Sequence, residues 1–376
     1  TELKYRRDCR EILTFTIDPA DAKDFDDAIS FERLENDMFE IGVHIADVSH
    51  FVEPGSILDE EAYSNTTSVY LPGMVNPMLP ERISNELCSL RPHEDKYTFS
   101  VMFKMNDKGV IKSSWIGKTI IHSNHRFTYE EVQNIIESEN GLYSEEILFL
   151  NSICQRMRKH RFNNGAINFS SQEVRFNLNE KGHPIGVIIK ENKESNQLVE
   201  ELMLLANRTV ATKVSKINIK DNPIPFPYRI HDDPDEEKMI PFIAFARKFG
   251  YKFNPHDPKS IAASFNAMLS QAKGTPQQHV LEQLGIRTMA KAIYTTENIG
   301  HYGLGFENYC HFTSPIRRYP DIMVHRIMQQ IIEGTVVIDK KMEQKCKHCS
   351  ERERAAMECE RAANKYKQVE FMSDHL

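Results

Sequence analysis

Long apolar runs are missing from this chain. No stretch approaches the roughly 18 residues that would cross a bilayer. No basic segment followed by an apolar one opens it, so the cytoplasm is the expected compartment. A disulfide framework is also missing. Seven cysteines, an odd number, are scattered over 376 residues, which a cross-linked scaffold would not show. Only Cys346-Lys347-His348-Cys349 has ligand-like spacing, and a structural zinc needs a second pair that the neighbouring sequence does not hold. Positive charge is short as well. Lys and Arg number 47 against 54 Asp and Glu, a net charge of −7, the wrong sign for a protein whose whole surface grips phosphates. That balance leaves room for a local basic channel. Internal repeats and low-complexity linkers are absent. A hydrophobic fraction of 40% beside 27% charged residues is that of an ordinary soluble protein.

What is abundant is carboxylate, and it is concentrated. Five aspartates fall within the ten residues from Asp18 to Asp27. The lead-in Leu13-Thr14-Phe15-Thr16-Ile17-Asp18 alternates apolar and polar, the period of a half-buried strand. Pro19 ends the ladder because it has no N–H to donate. The chain must then turn and return through Asp24, Asp26 and Asp27. So many carboxylates repel one another unless they are solvated or surround cations. An EF-hand would need Gly at the sixth position and Glu at the twelfth, where this chain has Lys23 and Ile29. A solvated acidic loop is the plainer reading, but Phe25, Ala28 and Ile29 interleave with the acids and argue for packing. The remaining reading is a one- or two-Mg²⁺ site for phosphoryl chemistry. An extended chain puts Asp24 and Asp26 on one side and Asp27 on the other. Asp24 and Asp26 would then converge with Asp18 on one ion while Asp27 faces a second.

The run Thr16-Ile17-Asp18-Pro19-Ala20-Asp21-Ala22-Lys23-Asp24-Phe25-Asp26-Asp27-Ala28 resembles the signature of the ribonuclease II / ribonuclease R (RNB) family. So do Ile41-Gly42-Val43-His44-Ile45-Ala46-Asp47-Val48, Tyr70-Leu71-Pro72 with Met78-Leu79-Pro80, and His311-Phe312-Thr313-Ser314-Pro315-Ile316-Arg317-Arg318-Tyr319-Pro320-Asp321. The resemblance spans nearly the whole chain. It implies one α/β catalytic domain over residues 1–376, β-rich first and helical later, around a deep active-site channel. It implies a processive 3′→5′ exoribonuclease that hydrolyses single-stranded RNA to nucleoside 5′-monophosphates, a monomer normally fused to OB-type RNA-binding domains. A catalytically silent RNA-binding module is the alternative, and loss of an aspartate or the arginine would have favoured it. By the same resemblance Asp18, Asp24, Asp26 and Asp27 hold Mg²⁺, with Mn²⁺ as a substitute. Arg317 is the catalytic arginine, and Arg318 makes a structural or outer phosphate contact. Tyr70 and Phe169 clamp the stacked 3′ bases, Tyr129 lies near the terminal nucleotide, and Glu201, rather than Glu200, approaches the ribose. Glu360 matches an acid near the active site.

The rest of the chain is read from pattern. Alternation at Phe39–Ile45 and Phe99–Met105 marks further half-buried strands. His44 and His50 read as structural. Asn106-Asp107-Lys108-Gly109 is a turn, and Trp115 reads as core. Proline and glycine crowd residues 65–92, the mark of an ordered irregular loop. Thr128 with Glu131 is a capping box that opens a helix. A second helix ends in Arg156, Arg158, Lys159, His160 and Arg161, cations that suit its C-terminal dipole. Phe169 falls in an apolar strand, and an apolar helix covers residues 197–214. Short helices are expected over 236–300. Ser314 and Pro315 read as a helix start, and Ser350 with Glu353 as another.

Overall fold

The alternation leading into the aspartates does form a strand. A computed structural model describes residues 2–169, 173–219 and 221–374. Its first half is strand-rich: Arg7–Asp8 (β1), Thr14–Asp18 (β2), Asp27–Arg33 (β3) and Met38–Ala46 (β4). Two short helices, Val48–Phe51 (α1) and Ile57–Asn65 (α2), precede a small hairpin, Val69–Leu71 (β5) and Met74–Asn76 (β6). Asp95–Asn106 (β7), Ile111–His122 (β8) and His125–Thr128 (β9) follow. One sheet runs in the order β1-β8-β7-β4-β3-β2-β9. Its pairings are antiparallel except β1 with β8 and β2 with β9. The parallel pairing of β9 brings Thr128 beside Asp18. The end of β2 and the start of β3 are thereby held at one edge of the molecule's main sheet.

One face of the sheet carries Phe15, Ile29, Ile41, Val43, Phe99 and Val101, all buried. Each such side chain contributes about 1.5–3 kcal/mol on leaving water. Against this face pack Tyr129–Ser138 (α3), Ser144–Asn163 (α4) and Glu194–Val214 (α5), with α3 on β2 and α5 on β4. Thr128 caps α3 with Glu131 reciprocating, as the sequence predicts. The other face is not solvated, which corrects the half-buried expectation. Thr14, Ser30, His44, Thr98, Ser100 and Thr119 are fully buried there. Thr14 donates to the Ile12 carbonyl and the other five satisfy one another: His44 Nδ1 lies 2.7 Å from Ser100 Oγ and Nε2 lies 2.8 Å from Ser30 Oγ. A buried polar layer of this kind is tolerated because its hydrogen bonds are made internally. His44 is thus structural. Trp115, expected in the core, is 40% exposed, with the Arg7 guanidinium over its ring.

The second half is mostly helical. Glu173–Leu178 (β10) and Pro184–Lys190 (β11) form a separate hairpin. Glu236–Lys248 (α6), Pro258–Ala272 (α7) and Gln278–Thr288 (α8) are the expected short helices. They enclose a satellite core of Phe242, Phe253, Phe265 and Leu281. Tyr319–Glu333 (α9) is followed by Met342–Ser373 (α10), which lies on β5 and β11. Both helix starts differ from expectation. α9 begins at Tyr319 and leaves Ser314 ahead of a turn, where its Oγ, the atom a cap would use, accepts from the Arg317 guanidinium at 3.0 Å and its N–H donates to the Asp321 carboxylate at 2.7 Å. Ser350 lies inside α10, where its hydroxyl bonds the Cys346 carbonyl one turn back. Glu353, freed from capping, pairs with Arg229. Among the described residues no helix is long and apolar enough to cross a membrane.

Candidate active site

The segment from Asp18 to Asp27 is a loop between antiparallel neighbours, so its two ends arrive together. Asp18 closes β2 and Asp27 opens β3. Between them the chain is fastened from below: the Phe25 N–H donates to Ser89 Oγ, which itself donates to the Lys23 carbonyl. Phe25 is buried, so the apolar residues interleaved with the acids do pack. Asp26 is 5% exposed. Its Oδ1 accepts the Ile316 N–H at 2.8 Å, and its Oδ2 lies 3.5 Å from Arg317 Nε. Asp18 Oδ2 is buried with no hydrogen-bond partner.

Electrostatics bind the four carboxylates into one unit. Burial pushes Asp18, Asp24, Asp26 and Asp27 all above the usual carboxylate range. Neighbouring charges add to it: Asp26 and Asp24 at Asp18, Asp24 and Asp27 at Asp26, Asp18 at Asp27. Arg317 opposes the rise at Asp24, Asp26 and Asp27. Buried like charges of this kind are stable only when a cation or a proton compensates them. The orphaned Asp18 oxygen and the all-oxygen donor set fit a hard divalent ion. The ligand set is not pre-closed, however. Among the described residues no three of His, Cys, Asp or Glu converge tightly enough to hold a metal. The expected grouping of Asp18, Asp24 and Asp26 on one point is therefore not formed, because Ile316 and Arg317 engage Asp26 instead. The same applies to Cys346 and Cys349, which are buried free thiols.

Two aromatic residues reach this centre. Tyr70 sits on β5 and is 41% exposed. Burial of its hydroxyl end, with the charges of Asp24, Asp26 and Glu360, pushes the phenol up to about 12. Its backbone N–H donates to Glu360 Oε1 at 2.8 Å, so Glu360 steadies the hairpin from α10. Residues 65–92 are thus less irregular than expected, with Gly73 at φ +82 making the β5–β6 turn. Tyr129, the first residue of α3, also has its phenol raised by burial and then by Asp27 and Asp18.

Arg317 is delivered by a turn, not by a helix. Its carbonyl accepts from the Ser68 N–H and the Thr67 hydroxyl at 3.1 and 3.2 Å. Its guanidinium donates to Ser314 Oγ at 3.0 Å and is 43% exposed. Arg318 points elsewhere and donates twice to Asp321, at 3.0 and 2.8 Å. Of the two roles expected of it, structural or outer phosphate contact, the Asp321 pairing is the structural one.

Two expected residues stand apart from the aspartates. Glu201 is buried in an ion-pair cluster in which Arg158 and Arg161 of α4 grip both Glu200 and Glu201. The acids lie one turn or more inside α5 and do not cap it. Phe169 lies in irregular chain, not in a strand, and packs edge-on against Phe265 of the satellite core at 5.5 Å. Among the described residues it makes no ring contact with Tyr70. Sequence reading missed Asp321, Ser68 and Arg126. Arg126 lies on β9 opposite Thr16, and its charge opposes the rise at Asp18. Only the strand register reveals it.

Four aspartates at a strand end, one of them buried, with an arginine turn beside them, are the features on which the sequence resemblance rests. The chain belongs to the RNB family: the RNB domain model matches residues 6–334. It is 40% identical to ribonuclease R 1 of Lactococcus lactis, over 100% of this chain and 47% of that protein. It is 39% identical to the DIS3-like exonuclease 2 of Schizosaccharomyces pombe, over 93% of this chain and 40% of that protein. The chain spans about half the length or less of these curated relatives. Its fold matches Mycoplasma genitalium RNase R in complex with ribose methylated single-stranded RNA. The TM-score is 0.91 at 29% identity, over 100% of this chain and 60% of that one. Yeast Ssd1, a pseudonuclease, shares the fold at a TM-score of 0.79 and 22% identity, over 96% of this chain and 45% of that one.

Proposed function

We propose that this chain is the catalytic part of a processive 3′→5′ exoribonuclease that takes single-stranded RNA and releases nucleoside 5′-monophosphates. The observation that carries the reading is the meeting of Asp18, Asp24, Asp26 and Asp27 with Tyr70 and with Arg317, whose turn bonds Asp26 across 290 residues of chain. Relatives named ribonuclease R support the same reading.

In this reading the four aspartates hold Mg²⁺, one or two ions, with Mn²⁺ able to substitute. An ion held by these aspartates would lower the pKa of water and would supply a counter-charge for the leaving 3′ oxygen. The chain's own residues do the rest. Water adds to the last phosphodiester, the bond to the 3′ oxygen breaks, and the phosphate leaves on the 5′ side of the released nucleoside. Arg317 is half-exposed and already oriented by Ser314, so its guanidinium meets the non-bridging oxygens without reorganising. Tyr70 offers an exposed ring for stacking, which accepts any base. Selection of RNA over DNA rests on the 2′-OH. The chain works as a monomer, and OB-type domains in the rest of a longer protein would lead RNA to it.

The test is a 5′-labelled oligoribonucleotide with the purified chain, Mg²⁺, and a parallel reaction in EDTA. Conversion to short end products with few intermediates, abolished by EDTA, is expected. Binding without cleavage would instead identify a silent RNA-binding module. Internal fragments would mean cleavage away from the end.

A further inference from the structure

A cavity of about 760 Å³ opens between the tip of the β7–β8 hairpin, the second half of α4, α5 and residues 305–308. It lies far from the aspartates. Asp27 pairs with Ile45 and Ile45 with Phe99, so Phe99 marks the level of the aspartates on β7. The strand ends at Asn106, seven residues further along, about 23 Å at 3.3 Å per residue, and Lys108, on the cavity wall, lies in the turn beyond it.

The floor is apolar, with Met157, Leu204 and Leu205. The rim carries three cations, Lys108, Arg156 and Arg208, beside His160 and one acid, Glu307. In a chain of net charge −7 this concentration needs a reason. The helix dipole accounts for cations in a last turn, which suits His160 and Arg161. It does not account for Arg156 or Arg208, which lie outside the last turns of α4 and α5. Nor does ion pairing: Arg161 and Glu201, which also reach the wall, neutralise each other. Two guanidiniums are held in place. Arg156 donates to the Asp107 carbonyl at 3.0 Å, and the Arg208 guanidinium lies over the Phe306 ring at 5.4 Å. An apolar floor with a few placed polar groups is the usual make-up of a small-molecule site.

We propose that this cavity is a second, distal nucleotide site. A phosphate is held by Lys108, Arg156 and Arg208, and a base lies against Phe306 and the apolar floor. The ligand is either a free nucleoside 5′-monophosphate or one nucleotide of a longer RNA. The proposal does not depend on the exonuclease reading, and its test runs without catalysis.

The test measures binding to the full chain in EDTA. The probes are AMP, adenosine, inorganic phosphate, and a circular oligoribonucleotide, which has no 3′ end to offer the aspartates. AMP should bind at least about tenfold tighter than adenosine or phosphate alone. Arg208→Gln should weaken the bound probe by about tenfold, and Lys108→Gln should weaken it in the same direction. Neither change should alter the thermal midpoint, since both side chains are exposed. Loss of AMP binding in Arg208→Gln assigns the site to the free nucleotide. Loss of circular RNA binding alone assigns it to a nucleotide within RNA. The proposal is overturned if neither probe binds, if both variants bind as wild type does, or if phosphate binds as tightly as AMP.

Discussion

Replacing Asp26 by Asn separates chemistry from architecture. The change keeps the size of the side chain and an oxygen to accept the Ile316 N–H at 2.8 Å. It removes the charge facing Arg317, a contact of 3.5 Å to a side chain that is 43% exposed. Solvent screens such a pair, which is worth no more than about 1 kcal/mol. The Ile316 hydrogen bond weakens by a similar amount on becoming neutral, about 1 kcal/mol. Against these losses, a carboxylate that burial and two neighbouring acids disfavour is gone. The terms nearly cancel, so stability should stay within about 1 kcal/mol of wild type, or about 2–4 °C in thermal midpoint. The chemical step should fall by about 10³ or more, because a charge that balances the cation and orients Arg317 is lost. Oligoribonucleotide affinity in EDTA should hold or improve. Thermal unfolding, single-turnover cleavage and equilibrium binding on the same variant read all three. Cleavage within tenfold of wild type would refute the assignment of Asp26 to the chemistry. A midpoint lowered by much more than the expected range would make Asp26 a structural clamp for the Ile316 turn.

Tyr70→Ala should cost about 1–3 kcal/mol of oligomer affinity through lost stacking and shift the length of the end product; unchanged affinity and product length would make the ring incidental. Asp321→Ala leaves the buried end of Arg318 and the Ser314 N–H without their acceptor, and should lower unfolding free energy by about 3–5 kcal/mol in urea; a loss below about 1 kcal/mol would show that the turn is held otherwise. His44 carries a pH dependence of known sign. Burial holds its imidazole down to about 3 in the folded chain, against about 6.5 unfolded. The unfolded state therefore binds the extra proton, and the contribution is complete above about pH 6.5 and lost as pH falls towards 3. The stability difference between wild type and His44→Gln should shrink by about 1.4 kcal/mol per unit between pH 6 and 4. A difference that stays constant over that range contradicts a neutral, buried His44.

Local features were legible in the sequence where the physics is local. The Thr128 box, the 106–109 turn and the strand into Asp18 each depend on neighbours a few residues away. Reading failed where a distant partner changes the local outcome. Ser314 looks like an N-cap, but its Oγ accepts from the Arg317 guanidinium instead of a helix N–H, and the helix starts later. Ser350 with Glu353 has the spacing of a capping box, yet Ser350 bonds a carbonyl one turn back and sits within α10. The acids at 200 and 201 look like helix-start residues until α4 presents two arginines to them. The basic run at 156–161, read as dipole stabilisation, held that signal: alternate cations on one helix face ask for acids on another. Alternation predicts one wet face for β2 and β4, and nothing in the pattern tells a solvated Thr from one that bonds a buried neighbour. Arg317, Tyr70 and Tyr129 lie within electrostatic reach of Asp18, Asp24, Asp26 and Asp27, while among the described residues the acids do not close on one point. Phe169 and Glu201 belong to other contacts in this structure.

The hydrogen bond from the Ile316 N–H to Asp26 has a consequence in time. It joins residues 290 positions apart. At about 5–20 residues per second of synthesis, the aspartates emerge roughly 15–60 s before the turn that carries Arg317. During that interval β2, β3 and β4 can pair, because their contacts are close in sequence, but the acids have no guanidinium beside them and the Tyr70 strand has neither the Arg317 carbonyl nor Glu360 to anchor it. Glu360 arrives later still. A growing chain therefore carries the acids long before it carries a working centre. The contacts that complete this centre form only after almost the whole of this stretch has been made.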